Sequence, residues 1–210
     1  MNRNIVTSLV WQVFQPSFSK NISILSLDNR KLLMKNAKKE YFRIIKFIPK
    51  FKSNDVLLLT ILNASILASI YRTLPYEPKI DVMREYYRKS MDENKIARKV
   101  INVKPFYTRN YIEKLEKQAQ KSQKSINPYT WRFTCEKGND INSFSAIFTQ
   151  CGICNLYNKL QIFELVPALC TYDYDMAEYT NTIFTRETTI ASGGQRCDCH
   201  YKKKISEPNN

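Results

Sequence analysis

The nucleophilic and metal-binding side chains of this chain are concentrated near its carboxyl end. All six cysteines and the single histidine lie between Cys135 and His200 of the 210 residues. Thiolates act as nucleophiles and as metal ligands, and a histidine can transfer protons or bind a metal. We therefore expect any covalent or metal chemistry in about the last 80 residues, with the front part serving to scaffold, bind or shield.

Nucleophilic catalysis by a cysteine is one chemistry open to these residues. Cys151 precedes a predicted helix, where the amide dipoles stabilise a thiolate and lower its pKa. Cys170 and Asp173 share one face of another predicted helix, so the carboxylate could align the thiol. The alternative is that Cys170 only packs in the core. Arg186, on a neighbouring predicted strand, could hold a substrate carboxylate or form a surface ion pair.

Metal binding is the second chemistry. Cys151-x-x-Cys154 and Cys197-x-Cys199 together supply enough thiols for tetrahedral zinc. Cys197 and Cys199 are two residues apart on a predicted strand and point the same way, whereas His200 points to the opposite face. The sequence therefore allows a zinc site of these cysteines that leaves His200 out.

The elements that position these residues follow Asn127-Pro128, where the sequence pattern changes. Alternating residues and turn signals predict a hairpin, two helices and a second hairpin. The predicted segments are strands at 130–136 and 144–150, a short helix from 151 to about 160, a longer helix at 163–179, and strands at 182–191 and 196–203 joined by Gly193-Gly194. This ββααββ order is typical of helices packed on an antiparallel sheet.

The front half is predicted to be mostly helical. Residues 32–48 place apolar side chains at helical spacing with lysines between them, which predicts an amphipathic helix. Residues 56–70 form an apolar run of about 15 residues, whereas a membrane span needs roughly 20, so we expect a buried core helix. The fold class predicted is α+β: a helical N-terminal half followed by the ββααββ unit with its antiparallel sheet.

The domain organisation predicted from these patterns has three parts. An amphipathic helical extension occupies residues 1–50, a helical region 51–126, and a cysteine-rich α+β region 127–205. We expect the last two to form one compact domain. Because neither a signal peptide nor a membrane span is apparent, we expect a cytoplasmic protein with reduced thiols.

Charge is distributed unevenly along the chain. The formal net charge is +14, of which residues 1–125 carry +15 and residues 126–210 carry −1. A basic front could bind nucleic acid or anionic lipid. The lysines are scattered along helical stretches and no nucleic-acid motif accompanies them, which favours a role in solubility and makes nucleic acid an unexpected partner.

Several motifs together resemble the L-2-amino-thiazoline-4-carboxylic acid hydrolase family, over about residues 50–204. They keep the family's order and spacing: Cys151 with its following helix; Glu164-Leu165, Leu169-Cys170 and Asp173; Phe184-x-Arg186-x2-Thr189-Ile190-Ala191-x-Gly193; and Cys197-Asp198. The chain departs from the family pattern at Cys199, where an aromatic residue is usual, and at Cys154, an additional thiol. The last hairpin is more distantly similar to four-vinyl-reductase-like small-molecule-binding domains.

The resemblance implies hydrolysis of a cyclic C=N bond in a small sulfur-containing amino-acid derivative that bears a carboxylate. It implies catalytic roles for Cys151, Cys170, Asp173 and Cys197. Thr189 and Arg186 are the implied substrate-binding residues, with Arg186 pairing with the carboxylate. A thiolate could add to the ring first. Alternatively, a divalent metal such as zinc or manganese could supply a bound hydroxide.

Two other functions remain open from the sequence. One is a non-catalytic module on the same back half that binds a small molecule or senses a metal. The other is a nucleic-acid-associated protein that uses the basic front. A homo-oligomer is a further expectation about partners.

Overall fold

The structure, a computed structural model, describes residues 3–49, 51, 57–102 and 106–205. Within these residues the front half is helical, as predicted. Its helices are α1 (Arg3–Lys20), α2 (Arg30–Phe47), α3 (Leu58–Tyr71), α4 (Ile80–Asp92), α5 (Lys95–Asn102) and α6 (Arg109–Gln123). Among the described helices, none combines the length and the hydropathy needed to cross a bilayer.

Helix α3 is the buried core helix that the apolar run predicts. Every residue from Ile61 to Ile70 is buried. Its two buried serines are satisfied within the helix, since Ser65 Oγ donates to the Ile61 carbonyl at 2.7 Å and Ser69 Oγ to the Ile66 carbonyl at 2.7 Å. Position 56, where the predicted helix begins, lies outside the described residues.

One hydrophobic core extends from the first helix into the back half of the chain. Buried tyrosine hydroxyl groups form hydrogen bonds between its elements. Tyr41 on α2 donates to the carbonyl of Thr7 on α1 at 3.0 Å, and Tyr157 donates to the carbonyl of Ala64 on α3 at 2.8 Å. The amphipathic helix predicted at 32–48 is confirmed as α2, and its apolar side packs in this core. The proposed division into domains stays a prediction.

The back half has the predicted succession of two strands, helices and two strands, with three helices where two were predicted, and this confirms the α+β class. A four-stranded sheet has the order β1-β2-β4-β3, and every neighbouring pair is antiparallel. Its elements are β1 (Arg132–Lys137), β2 (Ser143–Gln150), α7 (Gly152–Lys159), α8 (Val166–Cys170), α9 (Tyr172–Tyr179), β3 (Thr182–Thr185) and β4 (Cys197–Lys203).

The long helix predicted at 163–179 is interrupted in the structure. A 3₁₀ turn at Phe163–Leu165 leads into α8, and Thr171 separates α8 from α9. The Thr171 hydroxyl donates to the Pro167 carbonyl at 3.1 Å, a back-bond that tends to bend helices. The break matters for function because Cys170 and Asp173 lie on its two sides.

The strand predicted at 182–191 is wrong beyond Thr185. The chain leaves the sheet there and forms a 3₁₀ turn at Ile190–Ser192. The chain leaves the sheet because Asp198 on β4 binds Thr188. Asp198 Oδ1 accepts hydrogen bonds from the Thr188 amide at 2.7 Å and from the Thr188 hydroxyl at 3.0 Å. The connection to β4 is therefore a long loop over residues 186–196 and not a tight hairpin at Gly193-Gly194.

Candidate active site

A cavity of about 1510 Å³ lies between the front helices and the inner face of the sheet. Most of its lining is apolar, but one region of it combines thiols with a carboxylate and a guanidinium. The predicted site residues in this lining are Cys151, Cys170, Asp173, Arg186 and Cys197. Residues remote in the sequence are therefore brought to one cavity.

Cys151 occupies the junction between β2 and α7. Gln150 ends the strand, and Cys151 is the N-cap residue of the helix with an extended backbone. Its side chain makes no capping hydrogen bond to the helix. The Cys154 thiol foremost, and then the backbone N–H groups of Cys154 and Ile153, lower the pKa of the Cys151 thiol despite its burial. The lowered pKa has the predicted direction, but its main cause is a second thiol and not the helix start.

Gly152 fixes the position of Cys151 through a close backbone approach. A Cβ added at Gly152 would lie 2.2 Å from the carbonyl oxygen of Tyr129. The same segment is held by side chains, since Gln150 Nε2 donates to the Thr130 carbonyl at 3.0 Å and Asn155 Nδ2 to the Pro128 carbonyl at 2.6 Å. Only a residue without a side chain fits between this segment and the start of α7.

Asp173 and Arg186 form a buried ion pair at the break between α8 and α9. Arg186 Nη1 donates to Asp173 Oδ2 at 2.8 Å, and Arg186 Nη2 donates to the Cys170 carbonyl at 3.0 Å. The Arg186 side chain is only 6 % exposed, whereas Asp173 keeps 35 % of its side-chain surface accessible, and it lines the cavity. Burial raises the pKa of the Asp173 carboxyl, and the Arg186 charge offsets part of that rise.

The remaining cavity thiols are held in their protonated form. Burial, followed by the Asp173 charge, raises the pKa of Cys170. Burial also raises the pKa of Cys197 and raises that of Cys199 to about 12. Because a thiol must ionise to be a strong nucleophile, this contrast singles out Cys151 among the thiols of the cavity.

Strand β4 presents alternate residues to the two sides of the sheet. Cys197 and Cys199 line the cavity, and Cys197 Sγ accepts a hydrogen bond from the Ile190 amide at 3.3 Å. His200 lies on the other face, where its Nδ1 is 2.7 Å from Ser145 Oγ. The predicted orientation of these residues is therefore confirmed.

The described part of the chain contains no preformed set of metal ligands. No group of three or more His, Cys, Asp or Glu side chains there has an arrangement that could hold a metal ion. The Cys151, Cys154, Cys197 and Cys199 zinc site, and the divalent cofactor in general, stay predictions, and no catalytic step below uses a metal.

Thr189 lies apart from the cavity lining. Its hydroxyl caps the turn at Ile190–Ser192 by accepting from the Ser192 amide at 2.9 Å. Cys135 is also outside the cavity lining, and it packs with residues of α6 and β1 in a small cluster. The structure therefore gives the Thr189 hydroxyl a local structural partner, and its predicted role with substrate stays a prediction.

Polar residues of the front helices also reach the cavity. Asn63 on α3 and Tyr87 on α4 line it and bond to each other, with the Tyr87 hydroxyl donating to Asn63 Oδ1 at 2.7 Å. The Asp173 and Cys170 charges contribute to the raised pKa of Tyr87, whose main cause is burial. Sequence reasoning missed both residues, because each sits in a helical core pattern that carries no chemical signal.

Comparison with known protein families gives a match. The model of a family described as L-2-amino-thiazoline-4-carboxylic acid hydrolase matches residues 60–201. Neither the curated proteins nor the solved structures yielded a match to the chain. The matched range covers α3 to β4, and so it includes every predicted site residue.

Proposed function

Since the chain belongs to the L-2-amino-thiazoline-4-carboxylic acid hydrolase family, we propose that it opens the ring of 2-amino-thiazoline-4-carboxylate or a close relative by hydrolysis. The observation that carries the proposal is the convergence of Cys151, Asp173 and Arg186 on one cavity. Family membership supports a hydrolase in general terms, and the reaction, its substrate and the residue roles are our proposal.

Cys151 is the nucleophile in the proposed reaction. Its thiolate adds to the amidine carbon of the ring, the ring C–S bond breaks, and the substrate sulfur leaves as a thiol. The protein then carries an isothiourea on Cys151. Water adds to the same carbon and expels the Cys151 thiolate, which gives N-carbamoyl-cysteine and regenerates the enzyme. The net change is the addition of one water molecule to the ring.

Asp173 is the acid and base of both steps. A carboxyl group whose pKa is raised by burial can hold a proton closer to neutral pH than an exposed one. It donates that proton to the leaving ring sulfur and then removes one from the attacking water. Arg186 keeps the carboxyl aimed into the cavity through the 2.8 Å contact.

Arg186 is also the group that we assign to the substrate carboxylate. Two of its N–H groups already bond to Asp173 and to the Cys170 carbonyl. A guanidinium has five N–H donors, so further donors remain for an anion in the cavity. Asn63 and Tyr87 are neutral polar groups that could bind the ring nitrogens.

The test is an assay of purified protein on 2-amino-thiazoline-4-carboxylate, with N-carbamoyl-cysteine identified by mass spectrometry. Parallel reactions with and without a chelator separate the thiolate route from a metal route, because only the metal route loses activity. Absence of product in both reactions would reject the proposed substrate. Saturable binding without turnover would instead favour the non-catalytic small-molecule module.

A further inference from the structure

The sequence Cys151-Gly-Ile-Cys154 lies where a strand ends and a helix begins. We propose that Cys151 and Cys154 form a redox-active dithiol that exchanges with small-molecule disulfides entering the cavity. This activity is separate from ring opening, although Cys151 takes part in both. The chemical class of the partner is a low-molecular-weight organic disulfide.

The placement of the two cysteines at the start of α7 is the first observation behind this inference. Cys151 is the N-cap of α7 and Cys154 is the third residue of that helix. Residues three apart on a helix lie on the same face, with their Cβ atoms about 5–6 Å apart. The two cysteines are therefore neighbours on one face, and both are free.

Unequal access to the two thiols sets the order of reaction. Cys151 is half-buried and lines the cavity, whereas Cys154 is 4 % exposed and packs in the core. A disulfide in the cavity therefore meets Cys151 first. The cavity lining includes exposed residues such as Lys121, Lys124 and Ile126, so a small molecule can enter from solvent.

The state of each thiol suits these separate roles. The neighbouring Cys154 thiol is the main cause that lowers the pKa of Cys151, and Cys151 in turn is the main cause that raises the pKa of Cys154. One thiol is prepared to attack, and the other keeps its proton until the first sulfur has reacted. Cys197 is less suited as the second thiol because its sulfur accepts from the Ile190 amide.

The exchange balances in two steps. The Cys151 thiolate attacks one sulfur of the disulfide, forms a mixed disulfide and releases the first small thiolate, which takes up a proton. The Cys154 thiol then loses its proton, its sulfur attacks Cys151, and the second small thiol leaves. The protein loses two hydrogens and two electrons, and the small disulfide is reduced to two thiols.

The test treats reduced protein with 2-hydroxyethyl disulfide, alkylates the remaining thiols and maps tryptic peptides. Trypsin leaves Cys151 and Cys154 on one peptide, and places Cys170 and Cys197 on two others. We expect the wild type to form a disulfide within the first peptide. In Cys154→Ser and Cys154→Ala, Cys151 should instead accumulate a mixed disulfide with one mercaptoethanol unit.

Cys199→Ser is the matched control, because Cys199 is equally buried at 4 % exposed and lies on β4. It should cyclise like the wild type. Circular dichroism establishes that each variant is folded. A disulfide that joins two peptides, or an unmodified Cys151 in folded protein, would overturn the proposal. Disulfide formation without thiazoline hydrolysis would uphold the dithiol and reject only the proposed hydrolase.

Discussion

The start of α7 and the break between α8 and α9 place similar atoms in opposite electrostatic surroundings. At the start of α7, the Cys154 thiol foremost and two backbone N–H groups lower the pKa of the Cys151 thiol. At the break, burial and the Asp173 carboxylate raise the pKa of Cys170, while Arg186 binds its carbonyl rather than its sulfur. The comparison shows that the immediate surroundings of each sulfur, by setting the pKa of its thiol, decide which cysteine can react. The presence of several cysteines around one cavity does not decide it.

The two regions also divide the work of the proposed reaction. The start of α7 supplies the nucleophile, and the break supplies a carboxyl group that can exchange a proton. Neither region contains both functions. The cavity unites them because α7, α8 and α9 all lie between β2 and β3 in the chain and each contributes residues to its lining.

Among the substitutions considered, replacement of the nucleophile Cys151 should cause the largest loss of ring-opening activity. We expect Cys151→Ala to lose about 10⁴-fold or more in kcat for ring opening, a magnitude seen when a covalent nucleophile is removed. Cys170→Ala should retain most of the activity, since its thiol stays protonated. The measurement is the steady-state rate of thiazoline loss.

Cys135→Ala is the control for general effects of thiol removal, since Cys135 lies outside the cavity lining and packs with residues of α6 and β1. If Cys170→Ala proved as inactive as Cys151→Ala while remaining folded, the contrast between the two regions would be wrong.

Asp173→Asn should have the next largest effect. The amide is nearly the same size and can still accept a hydrogen bond from Arg186, but it cannot exchange a proton. We expect a loss of about 10²–10⁴-fold in kcat, the usual contribution of general acid–base catalysis. Because Asp173 must be protonated when the cycle begins, its titration should give the alkaline limb of the wild-type pH–rate profile, and this limb should lie above the ordinary aspartate pKa because burial raises the pKa of this carboxyl. A profile without that limb, or unchanged activity in Asp173→Asn, would remove Asp173 from the mechanism.

Arg186→Lys tests how substrate is held at the break. A lysine keeps the positive charge but lacks the planar guanidinium whose two nitrogens bind Asp173 and the Cys170 carbonyl at the same time. We expect kcat/KM to fall roughly 10–100-fold, which corresponds to a charge-assisted hydrogen bond of ~1.5–3 kcal/mol. An added rise in KM would support contact with the substrate carboxylate, and an effect on kcat alone would leave only the role of orienting Asp173.

The comparison also explains how much the sequence could predict. Helix and strand patterns predicted the succession of two strands, helices and two strands, because local periodicity carries that information. The motifs predicted Cys151, Asp173 and Arg186 as site residues, and the structure places these three residues in one cavity lining while their roles stay predictions. The break at Thr171 and the loop after Thr185 were missed. Both depend on side-chain hydrogen bonds, from Thr171 to Pro167 and from Thr188 to Asp198, that compete with regular structure.

Gly152→Ala should disturb the start of α7 without touching a reactive atom. The new methyl group would lie 2.2 Å from the Tyr129 carbonyl oxygen, so the backbone must shift. We expect a loss of about 1–3 kcal/mol in the free energy of unfolding, typical of overpacking. Gly193→Ala is the control, because no atom lies within 4 Å of its added Cβ and only its φ of 88° opposes the change. A Gly152→Ala variant as stable as the wild type would mean that close packing at Gly152 is unimportant.

The smallest expected effect is a shift in the pH at which Cys151 reacts. The Cys154 thiol is the main cause of the lowered pKa of Cys151, so its removal in Cys154→Ala should raise that pKa. The rate of iodoacetamide labelling of Cys151, followed by peptide mapping, should reach half its maximum at a higher pH in this variant than in the wild type. Cys197→Ala should leave the curve near its wild-type position, because that thiol is not a hydrogen-bond donor to Cys151. Coincident curves for Cys154→Ala and the wild type would show that the helix start alone stabilises the thiolate, and the distinction between the two regions would then depend on backbone dipoles rather than on the second thiol.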